Sequence, residues 1–152
     1  MSESQIVEEK TAATAIAYEK EIPQIFKMLG NVHTTLAADA LDESLIHLVQ
    51  LRASQINQCG FCVGMHVDEA LRDGESHERL SRLVVWRHVA DFTEREKAAL
   101  AWCEALTVLE NGREYGALRA QLREHFTPRE ISLLTVAVST INMWNRIQAS
   151  RH

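Results

Sequence analysis

Three side chains within eight residues could do chemistry together: Cys59, Cys62 and His66. They lie in the stretch HLVQLRASQINQCGFCVGMHVDEALRDG, which runs from His47 to Gly74. A Cys-x-x-Cys spacing lets two sulfurs close a small disulfide ring. If a helix starts near Cys59, then Cys62 and His66 share one face, a turn apart. Cys59 then sits at the first turn, where unpaired backbone N–H groups and the helix dipole favour negative charge. An imidazole beside a thiol and a helix start both favour the thiolate, the reactive form of cysteine. The chemistry suggested is that of a redox-active dithiol.

Other readings of the same residues are available. Cysteines three apart can be small buried hydrophobes. Cys59, Cys62 and His66 could supply three zinc ligands, although no second Cys or His pair at finger spacing follows. A c-type haem site needs His directly after the second Cys, and Val63 is there instead. Adding His66 at helical spacing shifts the balance to redox work.

The elements that must position these groups read as helices. The chain has two prolines and six glycines, and no alternating strand pattern persists. Residues 1–14 read as a loosely ordered lead. Ala15 to Leu29 is an apolar helical segment that Pro23 divides or restarts. Gly30 is expected to stop it, with a shorter helical piece over Asn31 to Ala40. Asp42 can cap a helix to Gln55, with Leu45, Val49, Ala53 and Ile56 as its apolar stripe. Asn57, Gln58 and Gly60 make a short turn into the cysteine helix. Gly74 suits a left-handed cap at its end. Ser76 can cap a helix bearing Leu80, Leu83 and Val84. Thr93 to Glu96 and Thr127 to Glu130 are capping boxes, the second with proline at the first helical position. The helix from Glu94 is expected to reach Glu110 and bury Ala98, Trp102, Ala105, Leu106 and Leu109. A shorter helix follows near Tyr115 to Glu124. The final helix carries Ile131, Leu134, Val138 and Ile141 on its core face. Asn142 and Asn145 need partners there, at the turn before the dithiol or in a pocket beside it. Trp86 reads as core or subunit interface, His77 and His88 as surface, and Cys103 as inert packing.

The stretch LRASQINQCGFCVGMH resembles the alkylhydroperoxidase D-like, carboxymuconolactone decarboxylase-like superfamily. More closely it resembles the single-domain bacterial branch with the pattern LR-S-QING-C-x-x-C-x-x-x-H. RLSRLVVWR, FTEREKAALAWCEALT and INMWNRI continue the likeness, which covers roughly residues 40–148. The resemblance implies an all-α, single-domain bundle over residues 1–152, of about six to eight helices. It implies a homo-oligomer, trimer or hexamer. It gives Cys62 the attack on peroxide, Cys59 the resolving disulfide and His66 part of a proton relay. The family's relay glutamate falls on position 47, which here is His47. An imidazole orients a neighbouring histidine less well than a carboxylate does. Glu43, one turn before His47, is a candidate partner for it.

Composition bounds the rest. The 152 residues suit one domain with a proper core, and 46% hydrophobic with 24% charged residues is ordinary for a globular protein. A net charge of −5 offers no basic field for nucleic acid. No apolar run is long enough to span a membrane, and the N-terminus lacks a signal pattern, so a cytoplasmic location is expected. There a Cys-x-x-Cys is catalytic or metal-binding more often than a structural staple. The expectation is a thiol-dependent peroxidase-like oxidoreductase acting on a peroxide or disulfide. An external dithiol or thioredoxin-like reductant would restore it, and no metal, haem, flavin or other cofactor is needed. A non-catalytic redox-sensing oligomer is the alternative, because of His47. A lactone decarboxylase comes third, because that branch generally lacks the cysteine pair.

Overall fold

The computed structural model describes residues 1–6, 15–39 and 41–151. Most of the expected lead, residues 7–14, therefore lies outside the described residues. The architecture is all-α, and no strand occurs among the described residues. The helices are α1 (Tyr18–Glu21), α2 (Pro23–Ala38), α3 (Glu43–Ile56), α4 (Gly60–Arg72), α5 (His77–Ser81), α6 (Glu94–Thr107), α7 (Gly116–Arg123) and α8 (Pro128–Ala149). A 3-10 stretch, Leu83–His88, joins α5 to α6. Among the described residues, no helix is long and apolar enough to cross a membrane.

The central helix is α3, which packs on α4, α6 and α8. Its 3.6-residue apolar stripe explains why. Leu45, Val49 and Ala53 enter a core shared with Trp102, Cys103, Leu134, Val138 and Ile141. Leu48 and Leu51 face the other way, against Ala70, Leu80, Leu83, Trp86 and Leu100. A helix buried on two sides is a rigid mount for whatever follows it.

The caps form where the sequence places them. Asp42 accepts the Ser44 N–H at 3.1 Å, and Ser76 accepts that of Arg79 at 3.2 Å. Both capping boxes are complete, and Pro128 begins α8. Pro23 likewise opens α2 rather than breaking a helix.

Three expectations need correcting. Gly30 does not stop α2, which runs straight through it to Ala38. A lone glycine costs a helix only about 1 kcal/mol, which neighbouring turns can absorb. The helix from Glu94 ends at Thr107, so Leu109 is 72% exposed rather than buried. The helix after Ser76 tightens into the 3-10 stretch, which leaves Val84 exposed and turns Trp86 inward. There the Trp86 indole donates to Glu104 at 2.9 Å. Glu104 also accepts from Arg52 at 2.8 Å and from Arg87. Burial works against its charge, but these donors outweigh that and hold the carboxyl below its ordinary range.

Candidate active site

The dithiol is built at a junction of two helix ends. Helix α3 closes with a Schellman motif: the Gln58 N–H reaches the Gln55 carbonyl, and the Cys59 N–H reaches that of Ser54. This motif needs one left-handed residue, and Gln58 supplies it at φ 55° although glycine is the usual choice. Cys59 ends that motif and is also the N-cap of α4. The Cys62 N–H donates to the Cys59 sulfur at 3.4 Å. Cys59 and Cys62 are joined as a disulfide, with Cα atoms 5.3 Å apart.

The last helix pins the junction. The Asn57 amide donates to the side-chain oxygens of Asn142 and Asn145, each at 2.9 Å. Asn145 donates in turn to Ser54 at 2.9 Å, and Asn142 to Thr107 at 3.0 Å. These buried asparagines are thus satisfied by the turn before the dithiol, the first of the two roles expected for them. Trp144 takes the second role and lines a cavity with Cys62.

That cavity has a volume of about 260 Å³. Its walls include Gly30, Phe61, Cys62, Met65, His66 and Trp144, and they are mainly apolar. Of the two cysteines, Cys62 lines it and Cys59 does not. The edge of Phe26 meets Trp144 with ring centroids 5.8 Å apart, which seats α2 beside it.

His66 is buried, with a side chain only 1% exposed. Its Nδ1 is 2.9 Å from a Glu69 carboxylate oxygen, one turn along α4. That bond places the ring proton on Nδ1 and leaves Nε2 as a lone-pair nitrogen. Nε2 is buried and bonds nothing among the described residues. Burial pushes the imidazole below its ordinary pKa, and the Glu69 carboxylate opposes that shift without cancelling it. His66 and Cys62 line the same cavity.

His47 is set apart. Its Nε2 lies 2.5 Å from Asp73, not against Glu43 as the one-turn spacing suggested. Asp73 is the residue just past the end of α4, and the Gly74 cap at φ 97° turns the chain there. His47, Asp73, Glu43, Glu69 and Arg72 line a second cavity of about 410 Å³, together with apolar side chains such as Leu36, Leu41 and Ile46. His33, Gln50 and Thr140 line both cavities, so the two adjoin. The structure therefore brings Cys59, Cys62 and His66 together and places His47 across a shared wall. Glu69, Asp73, His33 and Gln50 escaped the sequence reading. Glu69 was visible as the carboxylate three residues after His66, whereas the Asp73 contact spans 26 residues and had no local signal.

Cys103 is the other thiol. It is buried, donates to the Val49 carbonyl at 3.3 Å, and burial pushes its pKa up to about 12, which keeps it protonated. Among the described residues, no group of three or more His, Cys, Asp or Glu side chains is arranged to hold a metal ion.

Known proteins resemble this chain in sequence or in fold. YdfG of Bacillus subtilis, an uncharacterized protein, is 29% identical over 132 residues, which span 87% of this chain and 90% of its own. YnjA of Escherichia coli, also uncharacterized, is 28% identical over 110 residues, 72% of this chain and 60% of its own. A crystal structure from Agrobacterium tumefaciens superposes with a TM-score of 0.85 at 40% identity, covering 91% of this chain and 94% of that one. Its function is unknown, and it has been suggested to be the antioxidant defence protein AhpD. A peroxidase-related protein from Ralstonia eutropha, described as an alkylhydroperoxidase AhpD core, shares the fold at TM-score 0.77 and 20% identity, covering 88% of this chain and 71% of its own. The model of the carboxymuconolactone decarboxylase family matches residues 23–105, which include the dithiol, His66 and Glu69. On that match, over more than half its length, this chain belongs to the carboxymuconolactone decarboxylase family and its alkylhydroperoxidase D-like superfamily.

Proposed function

We propose that the protein is a thiol-dependent peroxidase that reduces organic hydroperoxides. One observation carries the reading: His66, whose buried Nε2 has no partner among the described residues, lines the same cavity as Cys62. His66 takes the Cys62 proton, and the thiolate attacks the outer peroxide oxygen. The O–O bond breaks, the alkoxide leaves and takes the proton from His66, and Cys62 becomes a sulfenic acid. The Cys59 thiol then attacks that sulfur, water leaves, and the disulfide closes. A dithiol restores both thiols by exchange. The apolar walls from Phe61, Met65 and Trp144 suit an alkyl or aryl group on the peroxide.

The protein works as a homo-oligomer in this reading, supported by Ile25, Met28 and Val32 standing exposed along α2 near the site. Light scattering on the purified protein tests that.

The enzymatic test is peroxide turnover, with dithiothreitol as reductant, by wild type, Cys62→Ser and Cys59→Ser. Loss of turnover in Cys62→Ser is expected. Turnover like wild type in that variant would sink the assignment. A redox sensor is the second reading, favoured by His47 standing where the family resemblance implies a relay glutamate. In that case the disulfide forms with peroxide but no catalytic turnover follows. His47→Glu separates the two, since a merely weakened relay gains activity from it.

A further inference from the structure

We infer that both half-reactions occur at one sulfur: the incoming reductant thiol attacks Cys62, and Cys59 departs as a thiolate held by the start of α4. This rests on the dithiol reading above but not on the identity of the oxidant.

Access is the first ground. An attacking sulfur must approach the atom it will bond to. Both cysteines are almost fully buried, at 1% exposed for Cys62 and 2% for Cys59, but Cys62 forms part of the cavity wall and Cys59 does not. The second ground is the fate of the leaving sulfur. The Cys59 sulfur already accepts the Cys62 N–H at 3.4 Å and stands at the positive end of a 13-residue helix. Negative charge appearing there is stabilised as it forms, and thiol exchange is faster when the departing thiolate is the better-stabilised one. Third, Cys59 cannot swing out to meet a reductant. Its N–H is tied to Ser54, and the Asn57 side chain is tied to Asn142 and Asn145.

The step balances as follows. The first thiol of the reductant gives its proton to His66 Nε2, and its sulfur bonds to Cys62 while the Cys59–Cys62 bond breaks. Cys59 keeps that bond's electron pair. The second thiol of the reductant then attacks the reductant's own sulfur in the mixed disulfide, gives its proton to Cys59, and releases Cys62 as a thiolate beside protonated His66. Two electrons pass to the protein, and the reductant leaves as a cyclic disulfide. Oxidant and reductant thus use one cavity in turn and exclude each other.

The position of the mixed disulfide tests this. Oxidised full-length protein is mixed briefly with excess 2-mercaptoethanol, quenched in acid and alkylated. Chymotrypsin cleaves after Phe61 and so separates Cys59 from Cys62 for mass spectrometry. The mercaptoethanol adduct is expected on Cys62 and the alkyl group on Cys59. An adduct on Cys59, or an even split, overturns the inference. Because the open form can reclose before quenching, a second measurement uses the single variants with Ellman's reagent. Cys59→Ser, which leaves Cys62, should react roughly tenfold or more faster than Cys62→Ser. Equal or reversed rates overturn the inference. Neither readout requires peroxide turnover, so failure of the proposed function would show separately.

Discussion

Two imidazoles in this molecule are each paired with a carboxylate, and they differ in what surrounds them. His66 with Glu69 lies inside α4, its side chain 1% exposed, on the wall shared with Cys62. His47 with Asp73 joins α3 to the end of α4, with His47 14% and Asp73 45% exposed. Both rings leave a buried nitrogen without a partner. Only the inner one opens onto the thiol cavity. The same residue types thus make a buried pair beside the dithiol in one place and a partly exposed tie between helices in the other. Burial and neighbourhood decide, not the pairing.

The largest test of that contrast removes each ring in turn. His66→Ala should lower peroxide turnover by roughly a hundredfold or more, the usual worth of a positioned general base. His47→Ala should cost only a few-fold. Equal losses would erase the distinction between the pairs.

The carboxylates come next. Glu69→Gln should lower the rate about tenfold and move the acid limb of the pH–rate profile downward, because the carboxylate holds up the His66 pKa. Glu69→Asp should recover part of the rate. Asp73→Asn should leave the limb in place. A limb that moves with Asp73 instead would make the outer pair the proton relay.

Stability should follow pH through the inner pair. The pKa of His66 is lower folded than the unfolded value of 6.5, because burial disfavours its charged form. The unfolded chain therefore binds the proton more readily. This contribution is complete above the unfolded pKa and is lost as pH falls through the lower, folded one. The urea midpoint should drop on acidification below about 6.5, and His66→Gln should remove that part of the drop. His47→Gln should retain it.

The smallest expected effect concerns the frame that both pairs share. Gln58 holds a left-handed conformation that costs a side-chain-bearing residue roughly 1–2 kcal/mol. Gln58→Gly should raise stability by roughly 0.5–1 kcal/mol, once glycine's greater unfolded freedom is deducted. The ratio of the two histidine effects should not change. Thermal melts beside the turnover assay would show both.

Much of the fold was legible in the sequence because its signals are local. A capping box needs residues three apart, as at Thr93 with Glu96 and Thr127 with Glu130. A helix stripe needs only the 3.6-residue period, and the Cys59–Cys62 ring needs only a turn. The helix ends it misplaced, at Gly30 and Leu109, show how weakly one residue's propensity sets a helix boundary. The candidate site was legible wherever its parts share α4. His66 and both cysteines were found, and Glu69 lay within the same periodicity.

What the tertiary structure alone decided is which groups meet from different helices. Glu43, one turn away, was only a candidate partner for His47, and the packing of α3 on α4 turned the ring to Asp73 instead. Asn142 and Asn145 took Asn57 as their partner across about 85 residues of chain. The adjoining cavities, one lined by Cys62 and one carrying most of the charged groups, arose the same way, from α2, α3, α4 and α8 each contributing a wall. Spacing along a helix fixes distances over a turn or two; beyond that, only the burial of apolar faces determines which side chains become neighbours.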